Sequence, residues 1–336
     1  MFKKNLIAAA GLTMLAAAAH AQVTLYGNLD VGYAHSRVKA EGSSESVNAI
    51  ESSMLTESYF GLKGAEDLGG GLKGVFVLES PVSVDTGTSD GRFWSRNAYV
   101  GLSGGFGTVK LGNQESLFKT EGAAFNPFGS SRVFSTTNLF VALPEVVSLG
   151  GSWQNAVGYT SNNMSGLTLS AQYSAKEGAK GGNTGDYSGG AYALAANYTA
   201  GPLALSAVYG NVKSTDATEV DEKQRAYLLG ASYDFGVVKG FAQYGRDKFS
   251  DGDGSVTAKF YQLGAIVPVS AEGAVHASYG RTKVEGVKGT QYSLAYNHAL
   301  SKRTGAYVGL TRAKGDLDEE GSVRSTTFGV GVRHAF

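Results

Sequence analysis

The chain contains no cysteine, only five prolines and no long uninterrupted apolar run beyond its first residues. Without cysteine, disulfide frameworks and thiolate chemistry are excluded. No stretch after residue 22 approaches the roughly eighteen apolar residues that a membrane-spanning helix requires. Few prolines and 48 glycines suit a chain of many strands and many turns.

The formal net charge of the chain is zero, since 29 Lys and Arg balance 29 Asp and Glu. This balance favours no partner, and it does not favour nucleic acid. The mean hydropathy of −0.11 is slightly polar. A helical membrane protein is therefore not indicated.

The first residues have the composition of a secretory signal. Lys3 and Lys4 precede the apolar run Leu6–Ala19, and the small residues Ala19 and Ala21 stand where a signal peptidase cleaves. We predict that residues 1–21 are removed and that the mature chain begins near Gln22. Two lysines leave with them, so 27 basic residues face 29 acidic ones, a net charge of about −2.

The last eleven residues predict a strand with one apolar face. Every second position there is aromatic, aliphatic or histidine, and small or charged residues stand between them: Phe328, Val330, Val332, His334 and Phe336. A terminal strand exposes an unpaired edge unless a strand from the other end of the chain pairs with it. The pattern therefore favours a closed barrel.

The same period of two recurs along the mature chain and predicts sixteen strands. Tyrosines recur at the ends of the apolar faces, as in an aromatic girdle, although ordinary strand propensity also places tyrosine there. Seven short linkers alternate with eight long ones; the short ones lie near 66–71, 103–107, 162–166, 200–202, 235–237, 269–273 and 299–303, and the long ones near 39–50, 81–91, 115–151, 177–189, 212–223, 249–258, 284–289 and 315–324. This asymmetry is typical of bacterial outer-membrane barrels, whose lumen-facing half also explains a polar mean hydropathy.

The longest linker, 115–151, shows weak alternation and contains Pro127 and Pro144. Its composition predicts a loop. It is the third long linker in chain order.

Several motifs together resemble the trimeric general-diffusion porins of Gram-negative outer membranes, in the beta-proteobacterial branch. They lie in the expected order over the whole mature chain: Val23-Thr-Leu-Tyr-Gly, Phe60-Gly-Leu-Lys-Gly-Ala-Glu-Asp-Leu-Gly-Gly-Gly-Leu-Lys73, Ala98-Tyr-Val-Gly-Leu-Ser-Gly-Gly-Phe-Gly-Thr-Val-Lys-Leu-Gly112, Leu300-Ser-Lys-Arg-Thr304 and Gly331-Val-Arg-His-Ala-Phe336. The resemblance implies an all-β, 16-stranded antiparallel transmembrane barrel in the outer membrane. It also implies a homotrimer whose third external loop, here 115–151, folds into the lumen.

Selectivity in such a pore depends on charges that face each other across the narrowest section. Strand parity and the loop give the candidates for that constriction: Tyr59, Lys63, Arg96, Lys110 and Gln154 from the wall, and Glu115, Lys119, Glu121, Arg132 and Glu145 from the loop. Members of the branch commonly carry basic residues where this chain has Tyr59, Asn113, Gln154 and Gly158. Only Arg96 matches their basic ladder, so we expect a weakly selective pore for ions and small hydrophilic solutes.

Three alternatives remain from the sequence. An enzyme barrel needs a positioned base, and the mature chain has four histidines. By parity His298 and His334 face lipid and His35 lies at a strand end, so His276 alone points inward, and it has no neighbouring acid and Ser pattern. A substrate-specific channel for a sugar or a carboxylate would line its lumen with aromatic and ionic residues. An adhesin or purely structural barrel would not conduct.

The expected partners are other copies of the chain, the lipid bilayer, lipopolysaccharide, ions and small hydrophilic solutes. We expect no cofactor, no metal and no nucleic acid. The acidic segment Asp316, Asp318, Glu319 and Glu320 could bridge divalent cations to lipopolysaccharide, or it could be an exposed charged loop.

Overall fold

The computed structural model describes residues 22–40, 42–89, 91–140, 149–175, 190–215, 221–251, 254–317 and 321–336. The predicted signal segment 1–21 and Glu145 lie outside these residues. Among the helices of the described part, none combines the length and apolar character that crossing a membrane demands.

Strands make up most of the described chain. They are β1 (Gln22–Ala40), β2 (Ser43–Ser52), β3 (Tyr59–Gly69), β4 (Leu72–Pro81), β5 (Asn97–Gly104), β6 (Gly107–Glu115), β7 (Ser152–Thr160), β8 (Leu167–Ser174), β9 (Ala191–Ala200), β10 (Leu203–Thr215), β11 (Asp221–Asp234), β12 (Lys239–Ser250), β13 (Ser255–Pro268), β14 (Gly273–Val284), β15 (Val287–Ala299), β16 (Thr304–Leu317) and β17 (Gly321–Ala335). Neighbouring strands pair antiparallel in a single sheet.

The sheet contains seventeen strand segments but sixteen barrel strands, because β2 and β3 are two halves of one strand. β1 pairs with β2 through Val31 and Ser52, and with β3 through Asn28 and Tyr59. Residues 53–58 interrupt the strand between these two registers. The prediction of sixteen strands is confirmed.

The barrel closes where the two ends of the mature chain meet. β1 pairs with β17 from Asn28 opposite Ala335 to Lys39 opposite Arg324. Beyond that ladder, Gly27 and Phe336 exchange two backbone hydrogen bonds, of 3.1 and 3.2 Å. Closure leaves no free edge, as the terminal strand pattern predicted.

The two faces of the wall are reversed relative to a soluble sheet. On β13, Leu263 is 63% exposed whereas the next residue toward the chain start, Gln262, is 1% exposed. Along the other strands, most large apolar side chains likewise face outward and Gln, Ser and Asn are buried. Val208, Leu228 and Phe260 are exceptions, because they are buried in a cluster with Phe118 and Phe140. Lipid on the outside and polar groups on the inside account for this arrangement.

The predicted long linkers are shorter than expected, because polar residues there continue the strands. In the predicted linker 39–50, β1 continues to Ala40 and β2 begins at Ser43, and these two residues pair with each other. Similarly, β14 and β15 are separated only by Glu285 and Gly286. Glycine and serine predict turns locally, but pairing with a long neighbouring strand outweighs that preference.

Two further expectations were wrong in detail. The apolar alternation of residues 54–64 predicts a strand that starts at Met54, but β3 begins at Tyr59, and Ser53, with a φ of 62°, lies just after the end of β2. The segment predicted as a loop contains a helix, α1 (Leu117–Ala124), and a short 3₁₀ helix at Thr136–Leu139. Ser116 caps α1 by accepting a hydrogen bond from the backbone N–H of Lys119.

Candidate pore constriction

The segment 116–140 packs against the polar face of the barrel wall. Four consecutive strands, β12 to β15, each donate one side-chain hydrogen bond to a backbone carbonyl of this segment. The pairs are Gln243 to Gly122 (2.7 Å), Gln262 to Phe125 (3.1 Å), His276 to Pro127 (2.7 Å) and Gln291 to Val133 (3.1 Å). These hydrogen bonds tie the segment to the wall and give its carbonyls donors away from water.

A row of strand glycines makes room for the bulky side chains of the segment. A Cβ placed on Gly230 would lie 2.6 Å from the ring of Phe125, and one on Gly245 would lie 2.6 Å from the ring of Phe140. The same close approach occurs at Gly210 with Phe118, Gly264 with Pro127, Gly280 with Thr136 and Gly309 with Phe134. The surfaces of the wall and of the segment are therefore sterically complementary.

Asp30 holds the interruption between β2 and β3. Its buried carboxylate accepts hydrogen bonds from the backbone N–H groups of Met54, Leu55 and Thr56, and from the hydroxyl of Tyr307 at 2.8 Å. The segment 116–140 joins here as well, because Ser131 donates to the carbonyl of Met54. Asp30 thus connects the wall to the segment.

A cluster of five charged side chains lies where α1 meets β4, the end of β6, the residue before β5 and the interruption. The guanidinium of Arg96 pairs with Glu57, lies 3.1 Å from Glu115 and lies 3.8 Å from Glu79. The ammonium of Lys119 lies 2.9 Å from Glu115 and 3.2 Å from Glu57. Two cations and three carboxylates give the cluster a formal charge of −1.

Cations in this region also lie over aromatic rings. The guanidinium carbon of Arg96 is 4.4 Å from the ring centre of Tyr59, and the ammonium of Lys63 is 4.5 Å from that of Tyr26. Lys110 lies 5.3 Å from the ring centre of Tyr99. At these distances the ring faces attract the cations and hold them along the wall.

Glu121 binds the other side of the segment to the wall. Its carboxylate accepts hydrogen bonds from Asn197 at 2.9 Å and Ser206 at 3.2 Å. Burial raises the pKa of Glu121, and these two hydrogen bonds oppose the increase. Between Glu121, Lys110 and Glu115 the wall and α1 enclose a cavity of about 360 Å³.

The structure brings together four of the predicted constriction residues: Tyr59, Arg96, Glu115 and Lys119 are in direct contact. Lys63, Lys110 and Glu121 lie around this cluster, on the wall and on α1.

Two further candidates, Arg132 and Gln154, lie on the segment 116–140 and on β7. The side chain of Arg132 is exposed, and its backbone N–H bonds to Ser53. Gln154 lies in a β-bulge of β7, where the register with β6 shifts, and its carbonyl accepts a hydrogen bond from Ser174. Glu145 lies outside the described residues.

Two acidic residues of the cluster were missed. Glu79 lies on β4 and accepts hydrogen bonds from Tyr26 and Asn97, both at 2.6 Å. Strand parity would have placed it inward. Glu57 lies in the interruption, where no alternation applies, so the sequence carries no signal for its position.

Comparison with known proteins assigns the chain to a family. A family model described as Gram-negative porin matches residues 7–318. Outer membrane porin protein 32 of Delftia acidovorans is 33% identical over 362 residues, covering 99% of this chain and all of that protein. An outer membrane porin protein of Bordetella pertussis is 30% identical over 398 residues, with the same coverage.

Among solved structures, the anion-selective porin from Comamonas acidovorans aligns with a TM-score of 0.83 and 29% identity. The alignment covers 94% of this chain and all of that one. The closed barrel, its outward apolar face and these relatives lead to one assignment: the chain belongs to the Gram-negative porin family and is a porin of the outer membrane.

Proposed function

We propose that residues 115–151 cross the lumen as the constriction of this porin, and that the pore is only weakly selective between anions and cations. The contacts of segment 116–140 with the polar wall support the first part. The pairing of Arg96 and Lys119 with three carboxylates supports the second. Charges that neutralise each other exert little net field on a passing ion.

The balance extends to the surrounding residues. With Lys63 and Lys110 on the wall and Glu121 on α1, four cations face four carboxylates in and around the cluster. The proposal therefore differs from the selectivity named for the Comamonas relative.

The reversal potential of the refolded mature protein across a KCl gradient tests this selectivity. We expect a value near that of a non-selective pore. The double variant E57Q/E115Q changes the cluster from −1 to +1, and two unit charges near the ion path shift the permeability ratio toward chloride by roughly fivefold. Strong anion selectivity of the unmodified protein that R96Q alone abolishes would contradict the proposal.

E272Q/E285Q is the matched control, because both glutamates are exposed in turns. It removes the same charge at a distance from the cluster and leaves the reversal potential unchanged. The single variant E115Q removes one charge but keeps the ion pair between Glu57 and Lys119, which holds α1 in place. A change of its reversal potential therefore reports the lost charge and not a movement of the loop. An unchanged single-channel conductance in E115Q shows that the loop has stayed in place.

The alternative, a channel specific for a sugar or a carboxylate, has one observation in its favour. Three cations lie over tyrosine rings along the same wall, at Tyr26, Tyr59 and Tyr99. Concentration-dependent block of the ion current by one solute and not by others of equal size would support this alternative. A general pore shows no such discrimination.

We also propose that the protein assembles as a homotrimer. The outer face carries an aromatic cluster of Phe60, Phe93 and Trp94, with Phe93 53% exposed. Exposed aromatic patches of this kind are typical of interfaces. Native mass spectrometry of the refolded protein tests the assembly, and a single-chain mass would exclude it.

The proposal includes removal of residues 1–21 on export and assigns no chemical reaction to the barrel. The charged start, apolar run and small residues before Gln22 support the cleavage. Amino-terminal sequencing of protein from outer membranes tests it, with Gln22 as the expected first residue.

A further inference from the structure

A polar cavity of about 360 Å³ lies between α1 and the wall from β5 to β9. We call it the α1 chamber. Its wall side is bounded by residues that include Tyr99, Lys110 and Gln172, and its other side by Thr120 and Glu121 of α1. A water occupies about 30 Å³ in the liquid, so the chamber has room for a small solute and several waters.

The pairing of three strands places a cation and an amide on opposite sides of the chamber. Lys110 on β6 pairs with Gly158 on β7, which pairs with Gln172 on β8. Since neighbouring strands lie about 4.8 Å apart, the backbones of Lys110 and Gln172 are separated by roughly 10 Å. Gly158 carries no side chain, and the amide of Gln114 lies over it and bonds to the carbonyls of Lys110 and Ala156. Gln114 is therefore the floor of a gap that the cation and the amide flank.

Lys110 lacks the counter-charges that the cations of the cluster have. Arg96 and Lys119 share three carboxylates. Lys110 forms no ion pair with any residue that the structure describes, and its ammonium lies 5.3 Å from the ring centre of Tyr99. Because the half-buried side chain has lost part of its water, an anionic group gains more from binding there than at a fully hydrated lysine. This side of the chamber is thus suited to a carboxylate.

The opposite side of the chamber has acceptors without donors. Gln172 is 4% exposed, and its Nε2 donates to the carbonyl of Glu115 at 3.2 Å. Asn197 donates through Nδ2 to the carboxylate of Glu121 at 2.9 Å. These bonds fix the orientation of both amides, and within the described chain their remaining oxygens, Oε1 of Gln172 and Oδ1 of Asn197, are buried without a hydrogen-bond donor. A bound molecule with N–H groups supplies the missing donors.

We propose that the α1 chamber binds a small zwitterion of the free amino acid class. Its carboxylate lies against the ammonium of Lys110, and its ammonium group donates to Gln172 and Asn197 beside the carboxylate of Glu121. An ammonium group has three donors, which match two amide oxygens and one carboxylate. The inference rests on the proposed function, because α1 belongs to the proposed constriction.

The charge balance of the constriction is consistent with such a ligand. A weak net field neither attracts nor repels a molecule whose own charges cancel. The separated polar groups of the chamber still bind its two ends. A site inside a pore must also release its ligand quickly, so we expect weak, rapidly exchanging binding that does not stop the ion current.

Saturation-transfer NMR of the refolded mature protein in detergent, a method that detects weak ligands, tests the proposal. The probes are L-alanine, propionate, which lacks the ammonium group, and ethylammonium, which lacks the carboxylate. We expect L-alanine to bind about tenfold more tightly than either, since each singly charged probe loses one charge-assisted contact. Equal binding of L-alanine and propionate would overturn the proposal in favour of a simple anion site, and an absence of L-alanine binding would also overturn it.

Two variants distinguish the two sides of the chamber. K110M is expected to weaken the binding of L-alanine about tenfold and to leave that of ethylammonium unchanged. Q172M, which removes one acceptor, should weaken the binding of L-alanine and ethylammonium but not that of propionate. K63M is the matched control for K110M, because Lys63 also lies over a tyrosine ring of the wall, at 4.5 Å from the ring centre of Tyr26, but does not line the chamber. Equal losses of L-alanine affinity in K110M and K63M would contradict the proposal.

The reversal potential in a KCl gradient keeps this proposal separate from the proposed function. Strong anion selectivity together with a preference for L-alanine would contradict only the weak selectivity. A reversal potential near that of a non-selective pore, without binding of L-alanine, would overturn only the zwitterion site. A far-ultraviolet circular dichroism spectrum equal to that of the unmodified protein shows that each variant has folded.

Discussion

At the scale of single residues, Asp30 shows how one carboxylate can fix an irregular part of a barrel. It satisfies three consecutive backbone N–H groups in residues 54–56, where the ladder between β1 and the next strand is broken. A backbone that leaves its ladder inside a wall needs such a substitute partner. The same site supports the segment 116–140 through Ser131 and Met54.

We predict that Asp30→Ala destabilises the barrel by about 3 kcal/mol or more, because it leaves several buried donors without an acceptor. Urea unfolding followed by tryptophan fluorescence measures the change. Asp67→Ala is the control, since Asp67 accepts only one hydrogen bond, from Gly69 in an exposed turn, and should cost about 0.5–1 kcal/mol. Similar losses in both variants would show that Asp30 has no special role.

The sequence identified some site residues and missed others for clear reasons. Tyr59 and Arg96 were found from strand parity and the family pattern, and Glu115 and Lys119 because they lie in the long linker expected to fold into the lumen. Glu57 was missed because an interruption without periodicity positions it. Parity finds a side chain only where the ladder is regular.

At the scale of elements, the period of two located nearly every strand, because a wall between lipid and water enforces it. Strand ends were the weak point. Polar hairpins such as the one in which Ala40 pairs with Ser43 extend beyond the apolar band, and there no buried face distinguishes a strand from a loop. Helix α1 was missed because eight residues give too few turns for a periodic signal.

The contacts between strands and segment 116–140 lead to a prediction on the current itself. Q243A/Q262A removes the donors to Gly122 and Phe125 and should cost about 1–3 kcal/mol for each unsatisfied carbonyl. The looser segment should increase open-channel current noise in single-channel recordings.

Gln224→Ala provides the control for this pair. Gln224 is equally buried but bonds to Asp247 on the neighbouring strand rather than to the segment. Its loss should reduce stability without increasing the noise. Quiet currents from Q243A/Q262A would contradict the anchoring role of the two glutamines.

At the scale of the whole molecule, the seam between the first and last strands decides whether the barrel closes. Gly27 lies at the point where β1, β3 and the terminal Phe336 meet. A Cβ there would lie 2.5 Å from the backbone oxygen of Tyr59 and 2.6 Å from the ring of Phe336. Only glycine fits without moving the backbone.

We predict that Gly27→Ala destabilises the closed barrel by about 1–3 kcal/mol through this steric conflict. Gly240→Ala is the control, because its nearest neighbour, the ring of Phe235, lies at an ordinary 3.6 Å. The fraction of folded barrel after refolding, together with urea unfolding, measures both. Equal stability of the two variants would show that the seam tolerates a larger residue.

The position of the seam also sets the order of events during folding. Asn28 pairs with Ala335, so the final ladder joins residues about 300 positions apart in the chain. Hairpins between neighbouring strands form early, while the last ladder waits for both ends to meet. Until then the growing sheet has two unpaired edges that can pair with other chains and cause aggregation. Pairing of the carboxyl-terminal strand with β1 removes both edges.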